Sequence, residues 1–256
     1  MQIAISNIFY RRHSSPVIAT LSKLAKAHRD SNAQAIEDFY NILVQVGDLS
    51  IEMDEISTKR DSAEDPALII GKALHIDADL VSWALSINPA WRYKTVTTPS
   101  ANTRDHTYSV YHGSRYHVYP KVGCATMWNN YHQARIVVHG IVRSSCTRLL
   151  ALDSAHECQT TMLQSAVISK QMVDDICASV PYYFAAGEVG VGGLIRLSWP
   201  LFIAADCSAA TPAMKWWILQ TLDLIGNTTG AQQALTMSQL VKEGHSIRFI
   251  PGNVDR

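Results

Sequence analysis

The stretch from Ala33 to Ile56, AQAIEDFYNILVQVGDLSIEMDEI, sets the pattern for most of the chain. Its apolar residues recur every three or four positions, the spacing that places them on one face of an α-helix. The members of this face are Ile36, Phe39, Tyr40, Leu43, Val46, Leu49 and Met53. The stretch therefore predicts a long amphipathic helix.

Helical spacing continues on both sides of this stretch. Ser15-Pro16 and Asp65-Pro66 are typical helix starts, because the first residue can cap the backbone and proline suits the first turn. Pro89, Pro181 and Gly226 are expected to end helices. The predicted helices cover about residues 17–25, 33–56, 66–88, 126–150, 156–179, 211–226 and 230–244. Residues 57–65 are predicted to form a solvated loop, and residues 182–193 a glycine-rich connector.

Helical periodicity disappears between Trp91 and about Lys121, where polar and aromatic residues dominate. Short extended pieces are compatible with residues 93–97 and 108–111. A connection of this length without regular structure is uncommon in a compact domain and is often functional. The sequence thus predicts an all-α fold, a single helical domain over residues 1–256 with one long irregular loop around residues 91–121.

The charge balance argues against direct binding of nucleic acid. Twenty-two basic and twenty-two acidic residues cancel, whereas a DNA-binding domain carries a basic face that neutralises phosphates. No apolar run is long enough to span a bilayer, and the N-terminal residues do not form a secretory signal. We therefore expect an intracellular protein, cytoplasmic or nuclear, without a membrane partner.

The cysteines and histidines do not form a local metal motif. The five cysteines contain no CxxC pair, so we expect reduced, core-filling side chains. His132 and His139 are seven positions apart, about 10.5 Å along a helix, which is too far for one metal ion. The glycines of residues 187–193 lack the spacing of a nucleotide-binding loop. The sequence predicts no metal and no cofactor.

Two pairs of carboxylates raise the question of a magnesium-dependent cyclase. Asp77 and Asp79 form one pair, and Asp174 and Asp175 form the other. Neither pair belongs to an aspartate-rich helical motif, so both are predicted to be solvated.

The segment Trp128-Asn-Asn-Tyr-His-Gln-Ala-Arg-Ile136 places costly residue types near the start of a predicted helix. Trp128, Tyr131 and Arg135 share one helical face, and Asn129 and His132 share an adjacent one. One interpretation is a polar and aromatic pocket wall in which Arg135 binds an anionic or carbonyl ligand. The other is that the aromatic residues anchor the core and Arg135 pairs with a carboxylate or a helix C-terminus. Both interpretations remain open.

Several short motifs occur in a fixed order between about residues 67 and 243. They are Ile76–Trp83, Pro89–Tyr93, His117–Tyr119, Trp128–Tyr131 with Ala134–Ile136, Ile176–Tyr182, Trp199–Leu201 and Trp217–Leu219 with Ile225-Gly226. In this order they resemble the C-terminal regulatory region of fungal binuclear-zinc-cluster transcription factors, many of which govern secondary metabolism. The zinc cluster that binds DNA in that family is not in this chain.

The resemblance implies a helical regulatory domain without a DNA-binding module, which receives a small molecule or a partner protein. Such a domain could form homo- or hetero-oligomers with related regulators. The ligand-binding candidates are Tyr119, Trp128, Asn129, Tyr131 and Arg135. A purely structural interaction module is a further alternative.

The main alternative is a cofactor-independent enzyme of natural-product biosynthesis, a cyclase, isomerase or dehydratase, built on the same helical scaffold. In that case His112, His117, His132 and Tyr131 are the candidates for general acid–base roles. Arg135 would then stabilise developing negative charge.

Overall fold

The computed structural model of the chain describes residues 31–58, 65–97, 109–151, 156–185 and 190–245. Most of these residues are helical, which confirms the all-α prediction. Within these ranges the helices are α1 (Ser31–Thr58), α2 (Pro66–Ser86), α3 (Val122–Leu150), α4 (His156–Ala185), α5 (Gly190–Asp206), α6 (Pro212–Thr229) and α7 (Gln232–Lys242). Between α2 and α3 in sequence come a 3₁₀ turn, Pro89–Trp91, and two strands, β1 (Lys94–Thr97) and β2 (Arg115–Val118).

Contacts divide the described residues into two compact units. The first unit contains residues 31–58, 65–88, 137–151 and 156–166, and the second contains residues 89–97, 109–136, 167–185 and 190–245. Helices α3 and α4 therefore contribute residues to both. The single domain expected over residues 1–256 stays a prediction.

In the first unit, α1 packs against α2. The Trp83 ring stacks on Phe39 with their centroids 4.2 Å apart, and its Nε1 donates a hydrogen bond to the carbonyl oxygen of Ala35 at 2.8 Å. Most of the predicted apolar face of α1 is buried, whereas Ile36 is exposed and Tyr40 only half-buried. The helical spacing therefore located the buried face correctly, but the predicted face included two residues, Ile36 and Tyr40, that are not fully buried.

In the second unit, α5, α6 and α7 pack against one another. Thr211 caps α6, because its hydroxyl accepts a hydrogen bond from the backbone N–H of Met214 at 3.2 Å. Gly226 does not end this helix, contrary to the prediction. The helix continues to Thr229, and Gly230 closes it in the left-handed conformation, with φ of 71°.

Two further sequence predictions were wrong: Pro181 does not end a helix, and residues 190–193 do not belong to a connector. Pro181 lies inside α4, which continues to Ala185. A proline this close to a helix end removes one backbone hydrogen bond, and the burial of Val180 and Tyr183 keeps the last turn packed. Residues 190–193, expected in a connector, begin α5, an apolar helix that the sequence analysis did not predict and whose buried residues run from Leu197 to Ala205.

The irregular loop expected around residues 91–121 contains a small antiparallel sheet. The first extended piece was placed correctly, but the second strand is formed by residues 115–118 and not by residues 109–111, and residue 108 lies outside the described residues. The expected helix at residues 17–25 and most of the expected loop at residues 57–65 lie outside the described residues, although α1 extends through Thr58. Among the described helices, none has the length and apolar character needed to cross a bilayer.

Candidate functional site

The two strands bring polar side chains to one face of the sheet. Thr95 lies opposite His117 in the antiparallel register, and its Oγ1 is 3.1 Å from His117 Nδ1. Side chains alternate between the two faces of a strand, so Arg115 lies on the same face as His117. His117 is fully buried, and this face of the sheet therefore turns towards the interior of the second unit.

Helix α4 supplies the carboxylate that meets this face. Gln171, Asp175, Ser179 and Tyr183 follow one another at intervals of four, so they form a single row along the helix. Asp175 is buried, with a side chain only 7% exposed. The expectation that Asp174 and Asp175 are both solvated is therefore wrong for Asp175, while Asp174 pairs with Lys170 at the surface.

Asp175 joins the sheet to α4 through several contacts. Its Oδ1 accepts a hydrogen bond from Arg115 Nη2 at 3.0 Å and lies 3.3 Å from His117 Nε2. Both carboxylate oxygens accept from Gln171 Nε2 at 3.1 Å. We call Thr95, Arg115, His117, Gln171 and Asp175 the Asp175 cluster. Its geometry leaves both ring nitrogens of His117 engaged by the protein.

The Asp175 cluster holds its carboxylate in the ionised form. Burial alone would raise the pKa of Asp175, because a charged group loses hydration in the interior. Hydrogen bonding with His117 and Gln171 outweighs burial, so the pKa lies below its usual value, and His132 contributes to this only in the acidic range in which its imidazole is protonated. The negative charge is therefore already matched by groups of the protein.

Aromatic rings cover the other side of His117. The Tyr93 ring centroid lies 4.2 Å from that of His117, 5.3 Å from Tyr119, 5.1 Å from Trp128 and 6.2 Å from His132. We call Tyr93, Tyr119, Trp128, Tyr131 and His132 the aromatic cluster. Burial is the largest cause that raises the pKa of both Tyr93 and Tyr119, so both hydroxyls stay protonated.

Trp128, Tyr131 and Arg135 lie together in the structure, as their spacing suggested. The two aromatic residues belong to the aromatic cluster, and Arg135 contacts it through Tyr131. Trp128 Nε1 donates a hydrogen bond to the carbonyl oxygen of Trp91 at 2.9 Å and so anchors the 3₁₀ turn. Arg135 donates from Nη1 to the Tyr131 hydroxyl at 3.3 Å, and its guanidinium lies 5.7 Å from the centre of that ring. The first role of Trp128 and Arg135 is therefore to order neighbouring protein groups.

Three buried amide side chains of α3, those of Asn129, Asn130 and Gln133, alternate along the helix with residues of the aromatic cluster. Asn129 Nδ2 donates to Ser179 Oγ at 3.0 Å and to the Tyr183 hydroxyl at 3.4 Å. Gln133 Nε2 donates to Asn130 Oδ1 at 3.1 Å. Within the described part of the chain, five buried polar atoms here have no hydrogen-bond partner: Tyr119 Oη, Asn129 Oδ1, Asn130 Nδ2, His132 Nδ1 and Gln133 Oε1. Buried polar atoms are costly unless they are hydrogen-bonded, so these five atoms leave the polar groups of this region incompletely satisfied.

His132 is neutral in this environment. Burial lowers its pKa to about 4, and the nearby charge of Asp175 offsets this only in part. A base with so low a pKa accepts protons poorly at neutral pH. Because both ring nitrogens of His117 are engaged by the protein, neither His117 nor His132 is well suited to proton transfer.

His112 is not brought into this group by any contact in the described residues. It is half-buried, its ring centroid lies 5.0 Å from that of Trp217, and burial lowers its pKa. Of the candidate residues, His117, His132, Tyr131, Arg135, Trp128, Asn129 and Tyr119 thus gather in one region of the second unit, and His112 lies apart.

The first unit holds a separate buried histidine, His139. Its Nδ1 lies 3.1 Å from Ser165 Oγ, and its Nε2 lies 3.2 Å from Asp77 Oδ1 without the alignment of a hydrogen bond. Across the ranges that the structure describes, no group of three metal-ligating side chains could hold an ion.

Sequence reasoning missed Tyr93, Arg115, Gln171 and Asp175 as members of the site. The period-two spacing of Arg115, His117 and Tyr119 indicated a strand face, but the short strand was obscured by its polar composition. The four-residue row that includes Gln171 and Asp175 was also visible in the sequence. Neither pattern says that the row and the strand face meet.

Comparisons with known proteins do not assign this site. The chain matches no protein-family model, no curated protein sequence and no solved structure.

Proposed function

We propose that this chain is a regulatory domain of the type found in fungal binuclear-zinc-cluster transcription factors and that it binds a small molecule. The observation that carries this proposal is the set of five buried polar atoms without partners beside the aromatic cluster. Aromatic walls with a few convergent polar groups are typical of small-molecule sites. The motif order from Ile76 to Ile225 supports the regulatory role and a link to secondary metabolism.

The second candidate is a non-redox cyclase, isomerase or dehydratase. The convergence of Tyr131, His132 and Arg135 favours it, because a hydroxyl, an imidazole and a cation lie side by side. The low pKa of His132 and the engaged nitrogens of His117 weigh against it, since general acid–base catalysis needs a group that titrates near the working pH. Binding is therefore the stronger proposal.

The test is replacement of the gene in its host, with transcripts and small metabolites profiled from the same culture. The three strains carry a deletion, Gln133→Met, or Gln164→Met as a matched control at an exposed position of α4. Gln133→Met keeps the length of a buried side chain and removes the amide beside Asn130. Immunoblots verify that the amounts of protein are equal.

We expect transcripts of co-regulated genes to fall in the deletion and the Gln133→Met strains and to stay normal with Gln164→Met. Steady transcripts together with one accumulating intermediate would identify an enzyme. No change in transcripts or metabolites on deletion would contradict both candidates. An intracellular location and association with related regulators belong to the same proposal and are checked by microscopy and co-purification.

A further inference from the structure

Helix α2 has a second apolar face in addition to the one that packs inside the first unit. Its packed face consists of five buried residues: Ile69, Ala73, Ile76, Leu80 and Trp83. The opposite face consists of six apolar residues at alternating intervals of four and three, which we call the α2 seam: Ala67, Gly71, Leu74, Ala78, Val81 and Leu85. Five of the six are exposed and Val81 is half-buried, and the exposed fraction is 42% for Leu74 and 72% for Leu85.

The spacing of the α2 seam is that of a contact between two helices. Alternating intervals of four and three average about 3.5 residues, the repeat that keeps a seam turned towards a second helix. At about 100° per residue, the six positions stay within about 80° of the helix circumference and extend over about 27 Å of its axis. Within α2, all of whose residues the structure describes, no charged residue falls inside this arc. A continuous apolar seam on an exposed helix face indicates an interaction surface.

The order of side-chain sizes along the α2 seam indicates what it binds. When α2 lies antiparallel to the α2 of a second copy, about a twofold axis level with Ile76, the six seam residues meet in symmetric pairs. Each pair combines one small and one larger side chain, so the two helices can pack closely without voids or overlap. A parallel pair would instead place the leucines against each other and leave gaps at the small residues. The antiparallel pairs are Ala67 with Leu85, Gly71 with Val81, and Leu74 with Ala78.

We propose that the α2 seam is a self-association surface, through which two copies of this chain form an antiparallel, twofold-symmetric dimer. A Cβ atom on Gly71 would meet nothing within 4 Å, so the Val81 side chain of the second copy has room there. Since each copy contributes one helix, the interface is small, and we expect a transient dimer with a dissociation constant in the micromolar range. The α2 seam lies in the first unit and is independent of the small-molecule site proposed in the second.

The first test is sedimentation velocity of the full chain from about 1 to about 200 μM, a range that brackets a micromolar dissociation constant. We expect the average mass to rise with concentration from that of one chain to that of two. Leu74→Glu places a carboxylate against Ala78 of the second copy and should weaken the dimer at least about tenfold, because an unpaired charge is costly in an apolar contact. Leu163→Glu is the matched control, since Leu163 is 70% exposed on α4, and it should leave the dissociation constant unchanged.

The second test determines the register of the two helices by disulfide cross-linking in mild oxidant. One sample of the chain carries Leu74→Cys, and another, enlarged by an affinity tag, carries Ala78→Cys. The native cysteines are buried, so the introduced thiols are the accessible ones. We expect the mixture to give a cross-linked heterodimer on a non-reducing gel faster than either variant alone gives a homodimer. The reason is that only the mixture places both introduced thiols in the same layer of the antiparallel pair.

Three results would overturn the proposal. One is the mass of a single chain at every concentration, which would leave the α2 seam to a different partner. Another is a dimer that Leu74→Glu leaves intact or that Leu163→Glu weakens equally. The third is cross-linking of the separate variants that is faster than that of their mixture. Circular dichroism verifies folding, and should Leu74→Glu fail to fold, Ala78→Glu takes its place, because glutamate suits an exposed helical position.

Discussion

The lack of a side chain at Gly226 lets α6 and α7 approach each other. A Cβ atom there would lie 2.5 Å from Leu235 Cγ and 3.3 Å from the backbone nitrogen of Leu235. Contact this close forces the helices apart or displaces Leu235, so Gly226→Ala is expected to lower the free energy of unfolding by about 1–3 kcal/mol. Urea unfolding followed by circular dichroism measures the change.

Gly71→Ala is the matched control, because a Cβ on this residue of α2 meets nothing within 4 Å. Alanine is the better helix former, so this variant should raise stability by about 0.5–1 kcal/mol. Equal effects of the two substitutions would show that the close approach to Leu235 is not what requires glycine.

His132 should make stability depend on pH. Its pKa is about 4 in the folded chain and about 6.5 when unfolded, so between these values the unfolded chain binds the extra proton. Stability is therefore complete above pH 6.5 and falls as the pH drops towards 4, by up to about 3 kcal/mol. His132→Phe, which keeps an aromatic ring against Tyr93, should flatten this dependence in unfolding experiments across the same range.

His75→Gln serves as the comparison, since the His75 side chain is largely exposed. This variant should keep the slope of the unaltered chain between pH 4 and 6.5. A slope that persists in His132→Phe would assign the pH dependence to other groups.

Asp175 shows why a residue of the site was misjudged from sequence. Asp175 follows a second aspartate in a helix that contains both polar and apolar residues, so the sequence alone suggests an exposed side chain. One of its partners, His117, lies 58 positions earlier in the chain. Local spacing grouped Trp128, Tyr131 and Arg135 correctly because one helix carries all three. A contact between a strand and a distant helix has no local pattern from which to predict it.

At the scale of the element, the start of α2 depends on one side chain. Asp65 Oδ1 accepts a hydrogen bond from the backbone N–H of Ala67 at 2.9 Å, with Pro66 in the first turn. Asp65→Ala removes this cap and should destabilise the fold by about 1 kcal/mol, measured by urea unfolding. Asp65→Ser can still cap and should cost less. A loss as large for serine as for alanine would refute capping as the cause.

Helix starts were easier to predict than helix ends. Asp65-Pro66 and Thr211-Pro212 act through bonds within a few residues, so the sequence contains the whole signal. Pro181 and Gly226 signal an end, but burial of the surrounding residues lets both helices continue. Helix α5 was missed because Pro200 and three glycines lower its helix propensity, while its apolar side chains, buried among α6 and α7, stabilise it.

At the scale of the whole chain, the amino-acid composition argues against binding of DNA by this chain alone. Positive and negative side chains are equal in number, so there is no net charge to neutralise phosphates. We expect no binding to a fluorescent DNA duplex tighter than about 10⁻⁴ M in about 50 mM salt, measured by anisotropy. A basic DNA-binding domain is the positive control, and its affinity should fall as salt is added. Salt-sensitive binding by this chain would reveal a local basic surface that the balanced total conceals, and would add direct promoter contact to the proposed regulatory role.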